Sequence, residues 1–152
     1  MSSTDIDRLR RRLKPVNKVI IALQRVGLAL GTMHVLSVPG RKSGELRTTP
    51  VSPLTVAGTT YVVGGFEKAD WVKNARAAGW GELTRGRRRQ RVALTELPVE
   101  ERAPILRAFP TEVPHGVQFF VKTGVVTSPD PEAFAAAAPR CPVFRIDPLP
   151  EQ

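Results

Sequence analysis

The sequence predicts a compact antiparallel β-barrel with a few short helices, in the α+β or mainly-β class. Three observations carry that expectation. Short runs rich in Val and Thr are separated by Gly- or Pro-containing turns, the signature of strands in hairpins. The 152 residues include 12 Gly and 14 Pro, too many for a plain helical bundle. The chain is long enough for one core and cramped for two, and it carries no repeat or linker.

Residues 1–30 read as a basic amphipathic helix, and residues 31–152 as a single barrel domain. Ile6, Leu9, Leu13, Val16, Ile20, Leu23 and Leu30 recur at helical spacing, with Pro15 as a kink or restart. Arg8, Arg10, Arg11, Arg12 and Lys14 precede an apolar run at 19–23, which imitates a signal peptide. That run is too short, Gln24 and Arg25 interrupt it, and no small-residue cleavage site follows. It is also too short to span a bilayer. The expected location is therefore cytoplasmic, with peripheral contact to an anionic membrane as the further option for this helix.

Beyond Gly31 the periodicity changes. Residues 33–38 are apolar and β-branched and predict a strand, ended by Pro39-Gly40. Residues 46–56 form a second extended stretch, in which Pro50 and Pro53 imply a sheet edge or a bulge. Ala57-Gly58 predicts a hairpin turn into a strand at 60–64. Residues 69–78 predict a short helix, with Asp70 near its start and Gly79 at its end. Strands at 80–84 and 88–97 flank a tight turn at Arg85-Gly86-Arg87. Pro98 and the acids after it open a helix over 98–109. Residues 116–122 are apolar without a clear period, 131–138 form an Ala-rich helix ended by Pro139, and 142–146 are a final strand.

The net charge is +9, and it is unevenly spread. Residues 1–94 carry 18 basic and 6 acidic side chains, whereas residues 95–152 carry 5 and 8. An anionic partner is expected, bound through the first two-thirds of the chain. One cysteine, Cys141, excludes a disulfide framework, and only two histidines argue against a Cys/His zinc site, so no metal is expected. Cys141, next to Pro142 and ahead of a strand, is expected to be buried and inert.

The segment 40–50, Gly-Arg-Lys-Ser-Gly-Glu-Leu-Arg-Thr-Thr-Pro, concentrates the chemistry. Its glycines permit a tight turn whose backbone N–H groups can converge on an anion. Arg41, Lys42 and Arg47 add cations, and Ser43, Thr48 and Thr49 add hydroxyls, a set suited to a phosphate. It is not a P-loop, because the Gly-Lys-Ser/Thr order and the following helix are missing. A solvated basic hairpin turn is the alternative that these residues leave open.

Gly40-Arg41-Lys42-Ser43-Gly44 with Arg47 and Thr48-Thr49-Pro50 resembles the deazaflavin-dependent nitroreductase family, actinobacterial oxidoreductases built on a split β-barrel related to the FMN-binding barrels. The resemblance continues through Gly58, Tyr61-Val62-Val63-Gly64-Gly65 and Trp71-Val72-Lys73-Asn74. It extends to 101–107 and 142–146, covering roughly residues 15–147. It implies a split barrel that binds coenzyme F420, with FMN as the alternative cofactor. Arg41, Lys42, Ser43 and Arg47 would hold the phosphate and acidic tail, and Thr49 and Pro50 would border the ring. Val63, Gly64, Gly65 and Phe66 would lie along the deazaflavin plane, where missing side chains let a flat ring approach. Trp71 and Asn74 would brace the pocket from the short helix. The implied reaction is hydride transfer from reduced F420 to a small apolar or quinone-like acceptor, with Ser52, Tyr61 or His34 as candidate proton donors. His115 reads as a loop residue.

The pattern departs from the family on the substrate side. Ser52 and Pro53 stand where an aromatic residue is common, the stretch before Trp71 is shorter, and Val72 replaces a frequent tyrosine. A nitroimidazole substrate is therefore not carried over. The competing class is a non-catalytic split barrel that holds a flavin, a haem or a lipid at an anionic surface. A homodimer is expected only by analogy with the superfamily. A second basic cluster, Arg85, Arg87, Arg88, Arg89 and Arg91, reads as a solvated edge with Arg87, Arg89 and Arg91 on one face. Nucleic acid is not expected as a partner, since aromatics make up only 6% of the chain and none interleaves with this cluster.

Overall fold

The computed structural model describes residues 34–150, so the expected N-terminal helix lies outside the described residues. Strands β1 (His34–Pro39), β2 (Leu46–Val51), β3 (Leu54–Val56) and β4 (Thr59–Val63) are followed by helix α1 (Asp70–Ala78). Then come β5 (Trp80–Arg85), β6 (Arg88–Glu96) and helix α2 (Val99–Glu112). A 3₁₀ turn (Pro114–Gly116), α3 (Val117–Lys122), α4 (Pro131–Ala136) and β7 (Val143–Pro148) complete the fold.

The seven strands make one antiparallel sheet in the order β2-β1-β5-β6-β7-β4-β3. The stretch 46–56, expected as one extended run, is thus two strands at opposite edges of the sheet. Only Ser52 and Pro53 separate them in the chain. A seven-stranded sheet whose two edges are joined by two residues has to curl until those edges meet, which produces the split barrel. The prolines suit this arrangement, since Pro50 lies in an edge strand and Pro53 in the link, where a missing N–H costs no ladder bond.

Alternation along the strands divides the core between two faces. Val62, Phe144 and Ile146 join Leu36, Val38, Val92 and Leu94 on one side, closed by Val72 and Ala75 of α1. Tyr61, Val63 and Val143 face the other side, against Leu106, Phe109, Phe120 and Phe134 of the helical C-terminal third. Local chemistry sets the turns as expected. Ala57 and Gly58 both have positive φ (50° and 81°), the geometry of a two-residue hairpin turn. Gly79 ends α1 at φ 73°, donating to the Ala75 carbonyl.

The uncertain segment 116–122 is the end of the 3₁₀ turn followed by α3, with Val117 and Phe120 buried one turn apart. Helix α2 runs past Phe109 through Pro110, because Phe109 and Val113 are both buried and hold the last turn to the core. At α4, Asp130 accepts the Ala133 amide at 3.0 Å. The Ser128 hydroxyl, first, and that amide hold the Asp130 carboxyl below its usual range.

Cys141 is fully buried, and desolvation pushes its thiol up to about 12. The folded protein should therefore resist a thiol-alkylating reagent at neutral pH and react only on unfolding, as mass spectrometry would show. The sign for stability follows. The raised value favours the protonated native state, so stability falls as pH rises from about 9 through about 12, where only the unfolded chain ionises readily.

Candidate functional site

The turn after β1 is built by its own backbone. Gly40 N–H donates to Glu45 O at 2.7 Å and Gly44 N–H to Gly40 O at 2.8 Å, while Glu45 N–H donates to Ser43 Oγ at 3.2 Å. Arg41 N–H leaves the turn and donates to Asn74 Oδ1 at 3.1 Å. These four amides are committed inside the protein, so the expected backbone cradle for an anion is largely used up. Cationic side chains supply the positive end instead.

Asn74 is only 4% exposed on α1, and its carboxamide oxygen accepts both the Arg41 amide and Arg41 Nη1, the latter at 2.8 Å. Two donors on one atom fix which end of the amide is oxygen. Asp70 Oδ1 lies 3.6 Å from Arg41 Nη2. Helix α1 thus pins the basic turn through Asn74 and Asp70, while Lys42 and Arg47 form no ion pair among the described residues. Arg47 lies across Gly40, its Cγ 3.7 Å from where a Cβ would stand.

A cavity of about 860 Å³ opens beside this turn. Arg41, Lys42, Ser43, Arg47, Thr49, Pro50, Val63, Gly64, Gly65, Phe66, Trp71 and Asn74 all line it, so the residues singled out in the sequence meet at one place. Ser52 lines it as well, whereas Tyr61 and His34 do not. Tyr61 shares the face of Val63 and packs against the helical core without lining the cavity, and His34 sits at the start of β1 opposite Val51.

Sequence reasoning missed the cavity's other wall. Phe109, Val113, His115, Gly116, Phe119 and Phe120 come from α2, the 3₁₀ turn and α3. His115 is not a bystander in a loop, since its Nε2 lies 3.1 Å from Ser52 Oγ. The wide separation of residue 52 from residue 115 leaves no periodic signal for this pairing.

Gly64 and Gly65 also make room for the protein's own side chains. A Cβ at Gly65 would lie 2.7 Å from Phe119 Cε1, and one at Gly64 would lie 3.2 Å from Trp71 Cζ2. Two of the protein's own rings, Phe119 and Trp71, approach this backbone. Phe119 also meets Phe66 edge-on, with centroids 5.3 Å apart, and Trp71 tilts against Phe144 at 5.6 Å.

The second basic cluster lies on the β5–β6 hairpin. Arg88 and Arg89 are exposed, and Arg87 is in the turn itself. Arg91 is half-buried and lies over the Trp80 ring at 4.6 Å, a cation–π contact between diagonal neighbours on one face. Among the described residues no helix is long and apolar enough to cross a membrane.

Curled sheet, split edge and adjacent cavity define a split-barrel protein. Residues 17–125 match the F420H(2)-dependent quinone reductase family, and the chain belongs to that family. It is an enzyme, an F420-dependent oxidoreductase. No curated protein gives a significant sequence match. Among solved structures it is similar to an F420-H2 dependent reductase (FDR-A), at 20% identity and a TM-score of 0.55 over 79% of this chain and 98% of that one. A chain described as a domain-swapped dimer matches at 19% identity and TM-score 0.56, over 96% of this chain and 100% of the other. A pyridoxamine 5'-phosphate oxidase-related, FMN-binding protein from Nostoc punctiforme matches at 12% identity and TM-score 0.55, over 90% and 80% of the two chains. At these identities the structural matches establish the fold.

The residues present fit such a cofactor. Among the described residues Lys42 and Arg47 form no ion pair, and Asn74 Nδ2, buried at the cavity wall, has no acceptor. The cavity volume is in the range of cofactor sites.

Proposed function

We propose that the protein reduces an apolar, quinone-like acceptor with hydride from reduced coenzyme F420. The observation that carries this reading is the polarity of the cavity. One end is cationic, from Arg41, Lys42 and Arg47 with the Ser43 hydroxyl, and the other is walled by Phe66, Phe109, Phe119 and Phe120. An anionic tail and an apolar acceptor are the ligands such a cavity accepts together.

Lys42 and Arg47 would bind the cofactor's phosphate, with Arg41 held beside them by Asn74 and Asp70. Thr49, Pro50, Val63, Gly64, Gly65, Phe66 and Trp71 would flank the ring system. Bound there, the reduced deazaflavin supplies a hydride. The aromatic wall contributes by excluding water and orienting the acceptor, which converts a bimolecular step into a local one.

Fluorescence titration with F420, and separately with FMN, tests the reading. Micromolar-range binding of F420 with much weaker binding of FMN is expected, and failure to bind either would refute it. A homodimer belongs to the same proposal, supported by the solved chain described as a domain-swapped dimer.

A further inference from the structure

We propose that Ser52 and His115 form a proton relay that completes the reduction of the acceptor. This rests on the proposed F420-dependent reaction and names the residues that act at its acceptor end.

The placement comes from the fold. Ser52 follows β2 directly, in the link that joins the two edges of the split barrel. His115 sits in the 3₁₀ turn between α2 and α3, carried there by the packing of Phe109, Val113 and Phe120. The two side chains meet at 3.1 Å on the cavity wall. Along β2, Arg47 and Ser52 are five residues apart, about 17 Å at the rise of an extended strand. The pair therefore stands at the far end of the cavity from the cations.

Elimination among the lining side chains leads to the same pair. Asp70 is turned to Arg41, and Asn74 holds Arg41. Arg41, Lys42 and Arg47 belong to the cationic end. Thr48 and Thr49 are neutral hydroxyls with no ionisable partner among the described residues. At the aromatic end, among the described residues, only Ser52 and His115 combine a hydroxyl with a group that can carry and replace a proton. The elements around the pair carry Glu112 at the end of α2 and Lys122 at the end of α3, both exposed.

Hydride addition to a quinone forms one C–H or O–H bond and leaves a negative charge on oxygen. In the relay, the Ser52 O–H proton passes to that oxygen, and the imidazolium Nε2–H of His115 passes its proton to Ser52 Oγ. Serine ends neutral and intact, His115 ends as neutral imidazole, and the exposed ring regains its proton from solvent. The cofactor loses two electrons and one proton as hydride, and the acceptor gains two electrons and two protons.

The test compares wild type, Ser52→Ala and His115→Gln, with menadione as the acceptor. F420 affinity, read by fluorescence, should stay within about twofold in both variants, since neither residue lies at the cationic end. Turnover should fall about 100-fold in His115→Gln, the scale of a lost general acid. Menadione, added to the F420-bound protein, should also protect His115 from diethyl pyrocarbonate, measured by peptide mass spectrometry. A His115→Gln protein that binds F420 and keeps wild-type turnover overturns the relay. Labelling of His115 unchanged by menadione also overturns it. A wild-type protein that fails to bind F420 refutes the underlying cofactor reading instead, and one that binds F420 but leaves menadione unreduced refutes the quinone acceptor.

Discussion

Replacing Arg102 by Leu should destabilise the protein by about 3–5 kcal/mol, the cost of taking a buried donor from three backbone carbonyls. Arg102 is 6% exposed and its guanidinium is almost fully committed. Nε donates to Leu97 O at 2.9 Å, Nη1 to Ala138 O at 3.0 Å and to Cys141 O at 3.5 Å, and Nη2 to Glu96 Oε2 at 3.2 Å. Glu96 in turn accepts two bonds from Arg76 of α1, both at 2.7 Å. The Glu96 hydrogen bond is the leading reason that the Arg76 guanidinium is held above its ordinary value.

One side chain thus ties the start of α2 to the end of β6 and to the segment that leads into β7, and through Glu96 it reaches α1. Leucine would fill some of the volume but leave the carbonyls of Leu97, Ala138 and Cys141 without their donor in a dry site. Thermal unfolding followed by circular dichroism should show a Tm lower by about 10 °C, taking about 2–4 °C per kcal/mol for a chain of this size. A loss under about 1 kcal/mol would mean that the network is worth little more than a surface pair. Arg102→Lys should fall between the two, since it keeps the charge but cannot reach several acceptors at once.

The double substitution Lys42→Ala with Arg47→Ala should lower F420 affinity by about 10²–10⁴-fold, taking about 1.5–3 kcal/mol for each charge-assisted bond lost. Both side chains lie at the cationic end of the cavity, and neither is tied to an acid among the described residues. Their removal therefore orphans no partner, and the melting temperature should hardly move. Arg41 differs, because Asn74 and Asp70 hold it in place and its loss would disturb the turn. Fluorescence titration at two salt concentrations measures the effect, with the wild-type affinity falling more steeply with salt than that of the variant. Unchanged affinity in a folded variant would show that the phosphate binds elsewhere.

Elements made by neighbouring residues were legible in the sequence. The Ala57-Gly58 turn, the Gly79 cap and the strands around Gly86 depend on backbone preferences that act over a few positions. The basic turn was legible for a similar reason, as its cations and glycines are contiguous. All twelve residues singled out around it line one cavity. The turn's internal bonding was not legible, because the Arg41–Asn74 link spans 33 positions.

The chain's own chemistry determined an antiparallel barrel with a basic turn, because strand periodicity, turn residues and local charge are written in contiguous segments. The tertiary structure alone decided how the stretch 46–56 divides between opposite edges, since edge position depends on every strand between. It also decided that Ser52 meets His115, that Phe119 covers Gly65, and that the acidic last third walls the cavity opposite the cations. Those contacts form when the sheet curls and the helices pack onto it. Their energy comes from burying surfaces distant in the chain, and no local pattern encodes it.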